Sequence, residues 1–267
     1  MHTTTDAGVP ELLANLNVAT IVLIATALTF LRLVLLSLKA SPTAGKPAET
    51  HPSARPGAEI LESLIIAGVL VFLIIRPFFV QAFYIPSESM EPTLLGHDPG
   101  HNLVTGIDHA DTVHDHIFVN KLVYRLGDPQ HGDIVVFKAP KEADGESRNL
   151  QQPQKENILI KRCMGIPGDT ISIHDGAVYR QSSGEKDFTK LVEPYLDSKL
   201  PLENPQRSDA MFGVHEPLVL GPDQYFVMGD NRNDSNDSRF WGTVERKRII
   251  GKASIIFFPF NRIRIIH

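Results

Sequence analysis

Ile158-Leu159-Ile160-Lys161-Arg162-Cys163-Met164-Gly165 is a strand-like run that sets one lysine among apolar neighbours. Working outward from it, similar short runs recur at Ile117-Phe118-Val119, Ile134 to Phe137, Thr170 to Ile173, Tyr225 to Met228 and Ser254 to Phe258. Turn formers separate them, as in His131-Gly132-Asp133 and Gly165-Ile166-Pro167-Gly168-Asp169. Short β-branched and aromatic runs punctuated this way predict a mainly β, antiparallel domain over 81–267. No internal repeat is evident.

The chain has 267 residues and a net charge of −5, which argues against a general nucleic-acid binder. Cys163 is its single cysteine, so no intramolecular disulfide forms. Upstream of the strands lie two hydrophobic segments. The first, 16–38, has Arg32 as its only charge, and at about 1.5 Å per residue it can span a bilayer core. Asp6 and Glu11 precede it where a cleavable leader has a basic start, so it reads as an anchor behind a short N-terminus, 1–15. The second, 59–80, holds Glu62 and Arg76 and is either a spanning helix with those charges reaching opposite interfaces or a buried core helix. The position of the motifs that follow favours spanning. Between the two, 39–58 carries Lys39, Lys46 and Arg55 against Glu49. Basic short loops stay in the cytoplasm, so both ends of the chain are expected outside, in a multi-pass protein of the inner (plasma) membrane.

Just beyond that exit stands Pro86-Ser87-Glu88-Ser89-Met90-Glu91-Pro92-Thr93. Two prolines restrict the stretch to extended or turn geometry. In extended chain, serines two apart share a face, where one hydroxyl can attack a carbonyl and the other can donate to the oxyanion. A Ser-x-Ser sequence is more often a polar loop. The lysine sharpens the choice. At an ordinary pKa of about 10.4 it is neutral in well under one molecule in a thousand at pH 7, and cannot act as a base until burial lowers that value. Lowering it by about 3 costs roughly 4 kcal/mol of folding stability. A lysine at a strand edge that snorkels to water bears no such cost, and both readings stand on the residues alone. Cys163 lies two residues from Lys161 and adds a possible thiol nucleophile, although a small buried cysteine is the commoner fate. A third block, Gly229-Asp230-Asn231-Arg232-Asn233-Asp234-Ser235-Asn236-Asp237-Ser238-Arg239, is dense in turn formers and charge. It is either a solvated loop or a site loop, with Asp237 and Arg239 as an ion pair and Trp241 seeking a packed position.

These blocks, in this order from about residue 60 to the end, resemble the ordered motifs of type I signal peptidases, the membrane-bound Ser/Lys leader peptidases. The resemblance implies a β-sheet peptidase domain with Ser89 as nucleophile and Lys161 as general base. It implies an oxyanion hole from the Ser87 hydroxyl and the Ser89 backbone N–H. Ser235 corresponds to the hydroxyl that orients the lysine, while Asp230, Asp237 and Arg239 correspond to structural support. The substrates implied are signal peptides of exported preproteins, cut after small residues of the Ala-x-Ala kind beside the lipid bilayer. No metal and no organic cofactor is implied. Arg232-Asn233-Asp234-Ser235 departs from the commoner Arg-Asp-Asn-Ser, and His131 stands where arginine is frequent, a difference expected to lie at the surface.

Three stretches read as insertions: 97–116, 138–156 and 181–221, the last as a shortened form of the family's smaller cap. The first gathers His97, His101, His109, His114 and His116 among Asp98, Asp108, Asp111 and Asp115. Such a set could ligate zinc, but its spacings match no tight metal motif and a solvated loop is the preferred reading. The aromatics Phe78, Phe79, Phe83, Tyr84, Phe257, Phe258 and Phe260 suit either headgroup contact or a core. Two other classes compare poorly. A Ser-His-Asp hydrolase lacks its Gly-x-Ser-x-Gly elbow here, and a tethered binding module has no need of Ser89 and Lys161. Within the Ser/Lys class, a pilin- or secretion-specific maturation protease is the nearest rival.

Overall fold

The structure, a computed structural model, describes residues 18–37, 54–75, 78–103, 105–141, 143, 157–196 and 216–267. The expected N-terminus 1–15, residues 39–53 of the linker with Lys39, Lys46 and Glu49, Arg76, most of 138–156, and 197–215 lie outside the described residues. The chain divides into two compact units, Met1–Gln81 and Ala82–His267.

The first unit holds the helices Val18–Ser37 and Ala54–Val69, the second continuing into a π-helical turn, Leu70–Ile75. Among the described residues no helix is long and apolar enough to cross a membrane, so the expected pair of spanning helices finds no support there. The second helix keeps α geometry for only 16 residues before its winding changes, about 24 Å at the α-helical rise. Glu62 does not run to an interface alone: its Oε2 accepts from Arg32 Nη2 at 2.6 Å, pairing the single charge of the first helix with the second. Thr29 and Ser63 donate to the carbonyls four residues back, Ala25 and Glu59, so their hydroxyls are satisfied within their own helices.

In chain order the strands are β1 (Val80–Tyr84), β2 (Gly96–His97), β3 (Gly100–His101), β4 (Asp108–His109), β5 (Val113–His114), β6 (His116–Asn120), β7 (Ile134–Lys138), β8 (Ile158–Gly165), β9 (Thr170–His174), β10 (Ala177–Gln181), β11 (Thr189–Lys190), β12 (Leu218–Val219), β13 (Gln224–Met228), β14 (Val244–Glu245), β15 (Ile249–Phe258) and β16 (Arg264–Ile265). The principal sheet is eight-stranded, ordered β1-β6-β15-β7-β8-β13-β14 with β16 branching from β15. The strand pairs of known register are antiparallel, as expected; Val135 faces Lys161 across β7 and β8, and Cys163 faces Val227 across β8 and β13. A smaller four-stranded sheet, β11-β10-β9-β12, stands beside it.

Alternation along the strands sends side chains into separate cores. Ile117, Val119, Ile134, Val136 and Ile256 pack with Met90 and Leu94. Val135, Phe137, Tyr225, Val227 and Trp241 pack around Cys163. Met164, Ile171, Val178, Phe226 and Met228 fill the space under the small sheet. Met90 and Leu94 are fully buried, so the Pro86–Thr93 stretch is pinned to the sheet by apolar anchors.

The histidine-rich insertion is not a solvated loop. Two short antiparallel ladders, β2 with β5 and β3 with β4, fold it into an arm. Asp115 is fully buried at its base, where its carboxylate accepts from Leu95 N–H and from both Nε and Nη2 of Arg262. The aromatics divide between the core and the surface. Phe83 packs against the first core and Phe257 stacks on Phe118 at 4.2 Å, whereas Phe258 and Phe260 are exposed.

Candidate active site

Pro86 and Pro92 bracket a stretch that is only partly extended. Ser87 has φ −141° and ψ 157°, but Glu88–Met90 forms one 3₁₀ turn, closed by the Glu91 N–H on Glu88 O at 2.9 Å. The stretch thus combines the extended and the turn geometry that its prolines allow, and buried Met90 points into the core. The hydroxyls of Ser87 and Ser89 still lie 3.4 Å apart.

β8 brings Lys161 to this turn, and its Nζ donates to Ser89 Oγ at 2.7 Å. The lysine is 4% exposed, which excludes the snorkelling alternative. Burial lowers its pKa to about 8, with Asp237 and Asp230 pulling it back upward and Arg239 adding to the decrease. An amine of that pKa, touching a hydroxyl, can take and return the hydroxyl's proton at neutral pH. Cys163, by contrast, sits in the second core, and burial pushes its thiol well above the ordinary range. It is no nucleophile.

The third block wraps the same place. Asn231 N–H donates to Ser89 O at 3.2 Å and Asn231 Nδ2 to Glu88 O at 3.3 Å, so the loop holds the backbone on which Ser89 sits. Asp237 is fully buried; its carboxylate accepts from Gly229 N–H at 2.9 Å and from Nε and Nη2 of Arg239 at 2.8 and 2.9 Å. Burial opposes that charge, but the Arg239 guanidinium, the Gly229 N–H and Lys161 outweigh it and keep the carboxyl below the usual range. Ser235 is buried against Gly229. A Cβ at Gly229 would overlap the Ser235 side chain and the Ser89 carbonyl oxygen at once, so this glycine is what lets the two blocks close. Ser89, Ser87, Lys161, Asp230, Ser235, Asp237 and Arg239 thus belong to one neighbourhood.

Asp230 has a partner that the sequence did not announce. Arg162, next to Lys161, places Nε and Nη2 on the two oxygens of Asp230 at 2.8 and 2.7 Å, in a buried bidentate pair, and its guanidinium lies 3.8 Å from the Tyr195 ring centroid. Strand alternation turns Arg162 to the opposite face from Lys161, a signal available from the sequence had a buried carboxylate been sought for it. Gly96 was likewise missed. A Cβ there would overlap the backbone of Ser87, a close approach that β2 requires. At the departing positions, Asp234 Oδ2 accepts from Asn102 Nδ2 at 3.1 Å, and that same amide donates to Glu88 Oε2. His131 is not a plain surface residue; it is half-buried, and burial with the Arg180 charge lowers its pKa.

A family model described as signal peptidase, peptidase S26, matches residues 57–258. This chain belongs to that family. Among its relatives, a signal peptidase I of Leptolyngbya laminosa is 35% identical over 227 residues, covering 84% of this chain and 93% of the relative. A probable signal peptidase I-1 of Synechocystis is 37% identical over 217 residues, covering 80% and 90%. The signal peptidase I of Bacillus licheniformis is 34% identical over 211 residues, covering 77% and 91%. As a member of the S26 peptidases, the chain is a serine endopeptidase.

Proposed function

We propose that this protein removes N-terminal signal peptides from exported preproteins, cutting after small residues of the Ala-x-Ala kind, with Ser89 as nucleophile and Lys161 as general base. The 2.7 Å contact between Lys161 Nζ and Ser89 Oγ carries the reading. Neutral Lys161 takes the Ser89 proton as the oxygen attacks the scissile carbonyl, and returns it to the departing amine; water then enters under the same base and releases the acyl group. The Ser87 hydroxyl and the Ser89 N–H face the developing oxyanion. Asp237 with Arg239, and Asp230 with Arg162, keep the charges around the amine balanced while Ser235 and Gly229 fix its surroundings.

We further propose attachment to the plasma membrane through the N-terminal unit, with the peptidase domain outside the cytoplasm. Leu23, Phe30, Leu33, Ile60, Leu64 and Ile66 expose apolar surface on two helices in which the Thr29 and Ser63 hydroxyls bond within their own helix and Arg32 and Glu62 neutralise each other, an arrangement that suits lipid. Phe258, Phe260, Ile263 and Ile265 offer the peptidase domain a second apolar surface toward headgroups. The substrate, leaving the bilayer extended, adds along a strand edge near Ser89.

The test is incubation of the purified protein with a preprotein whose signal ends in Ala-x-Ala, comparing wild type with Lys161→Met and Ser89→Ala. Cleavage at that site by the wild type alone is expected. Equal cleavage by Lys161→Met would remove the proposed base, and binding without cleavage by all three would favour a tethered binding module.

A further inference from the structure

The arm that rises from β2 to β5 presents a side-chain set that the peptidase chemistry does not use. Glu91 stands two residues beyond Ser89, whereas His97 and His109 belong to β2 and β4. The ladders bring the two imidazoles face to face, with ring centroids 3.8 Å apart and planes 18° from parallel. Each of the three residues offers one donor atom, and the three atoms all lie within 4.8 Å of one another. Both imidazoles and the carboxylate are close to nine-tenths buried, with side-chain exposures of 7%, 10% and 11% for His97, His109 and Glu91.

A buried polar set should be satisfied by hydrogen bonds, and this one is not. Glu91 Oε1 meets His97 Nδ1 at 2.6 Å and accepts from Gly96 N–H at 3.0 Å. His109 Nε2 is buried and makes no hydrogen bond, although Glu88 Oε2 lies 3.4 Å away. On the other side His97 Nε2 lies 3.9 Å from Asp111 Oδ1. Stacked imidazoles, an unsatisfied ring nitrogen and two flanking carboxylates form a nitrogen and oxygen donor set with negative charge behind it. Two donors each about 2.1 Å from a tetrahedral zinc ion stand about 3.4 Å apart, so on binding the two imidazoles part from their stack and rotate until their in-plane nitrogen lone pairs converge on the ion. Imidazole with carboxylate suits zinc among the first-row divalent metals; the outer carboxylate Asp111, 3.9 Å from His97 Nε2, is placed to hold the ring N–H that His97 leaves over when it ligates through Nδ1, while Glu88 adds negative charge beside His109 Nε2.

We propose that Glu91, His97 and His109 bind a zinc-class divalent cation, which ties the histidine-rich arm to the turn carrying Ser89. The ion exchanges the hydrogen bond between His97 and Glu91 for metal bonds and satisfies His109. It stands outside the Ser89 and Lys161 pair and takes no part in peptide cleavage, so the site does not rest on the peptidase reading.

The experiment titrates Zn²⁺ into the full-length protein in detergent, in competition with a chromophoric chelator, and records visible absorption with Co²⁺ in its place. One ion per chain is expected, with affinity at least tenfold weaker in His97→Ala, His109→Ala and Glu91→Gln and with the Co²⁺ bands lost. Ser89→Ala, inactive in cleavage on the proposed mechanism, and His101→Ala, altered at an exposed histidine of the same arm, should bind as wild type does. Far-UV circular dichroism and melting of the metal-free variants establish that the arm variants remain folded; Glu91→Gln, the smallest change, keeps the test decisive if an alanine variant does not. No binding at millimolar Zn²⁺, or equal affinity in Glu91→Gln and whichever histidine variants fold, would overturn the site.

Discussion

Raising the pH should switch the enzyme on through one amine. With the Lys161 pKa near 8, about one molecule in ten carries the neutral base at pH 7, against roughly three in ten thousand for a solvated lysine. The acid limb of kcat/KM should therefore rise about tenfold from pH 6 to pH 7, bend near 8 and level by 9 to 9.5. The same amine leaves a trace in stability, and its sign can be worked out. Below pH 8 both the folded and the unfolded chain hold the proton, and the folded state bears the full cost of a buried charge. Between 8 and 10.5 the unfolded chain binds the proton more than the folded one, so stability rises with pH in that window. Relative to Lys161→Met, the wild type should gain about 2 kcal/mol between pH 6 and 9.5. The assay pairs cleavage of a fluorogenic preprotein segment, at substrate well below KM, with urea melts of both proteins across that range. A cleavage rate that climbs about tenfold per pH unit up to 9.5 without bending near 8, or a stability difference indifferent to pH across that range, would show that the amine is not desolvated and refute the reasoning.

Ser87→Ala should lower kcat by about 10²- to 10³-fold with little change in KM, the signature of a lost oxyanion donor, measured by steady-state kinetics. Gly229→Ala forces a methyl group against Ser235 and the Ser89 carbonyl; overpacking of that kind costs about 1–3 kcal/mol, and cleavage should fall by more than tenfold in protein that still melts cooperatively. Arg162→Met strands the buried Asp230 charge, so a loss of about 3–5 kcal/mol in chemical denaturation is expected, largely recovered when Asp230→Asn is added.

The strands were legible because each is a short apolar run between turn formers, and the run at 158–165 kept its place from sequence to sheet. β1 was not, since Val80–Tyr84 continues the hydrophobic character of the helical segment before it and nothing local marks the change of winding. The arm at 96–114 was misread for a related reason. Its histidines and aspartates have the composition of a solvated loop, and only the pairing of β2 with β5 and of β3 with β4 brings His97 and His109 inward. Ser89 and Lys161 could be named as a pair because the motif order is specific; their geometry could not, since it depends on contacts 72 residues apart. Arg162 with Asp230, Arg32 with Glu62, and Gly96 under Ser87 share that difficulty. Each is a meeting of distant residues, invisible until the fold sets the distance.

Met90 follows Ser89 directly and is sealed in the same cluster as strand residues from β6, β7 and β15. The nucleophile therefore inherits the stiffness of the domain interior rather than the looseness of a surface segment. Heat should extinguish cleavage and melt the sheet at one temperature, with no range in which a folded but catalytically slack protein accumulates.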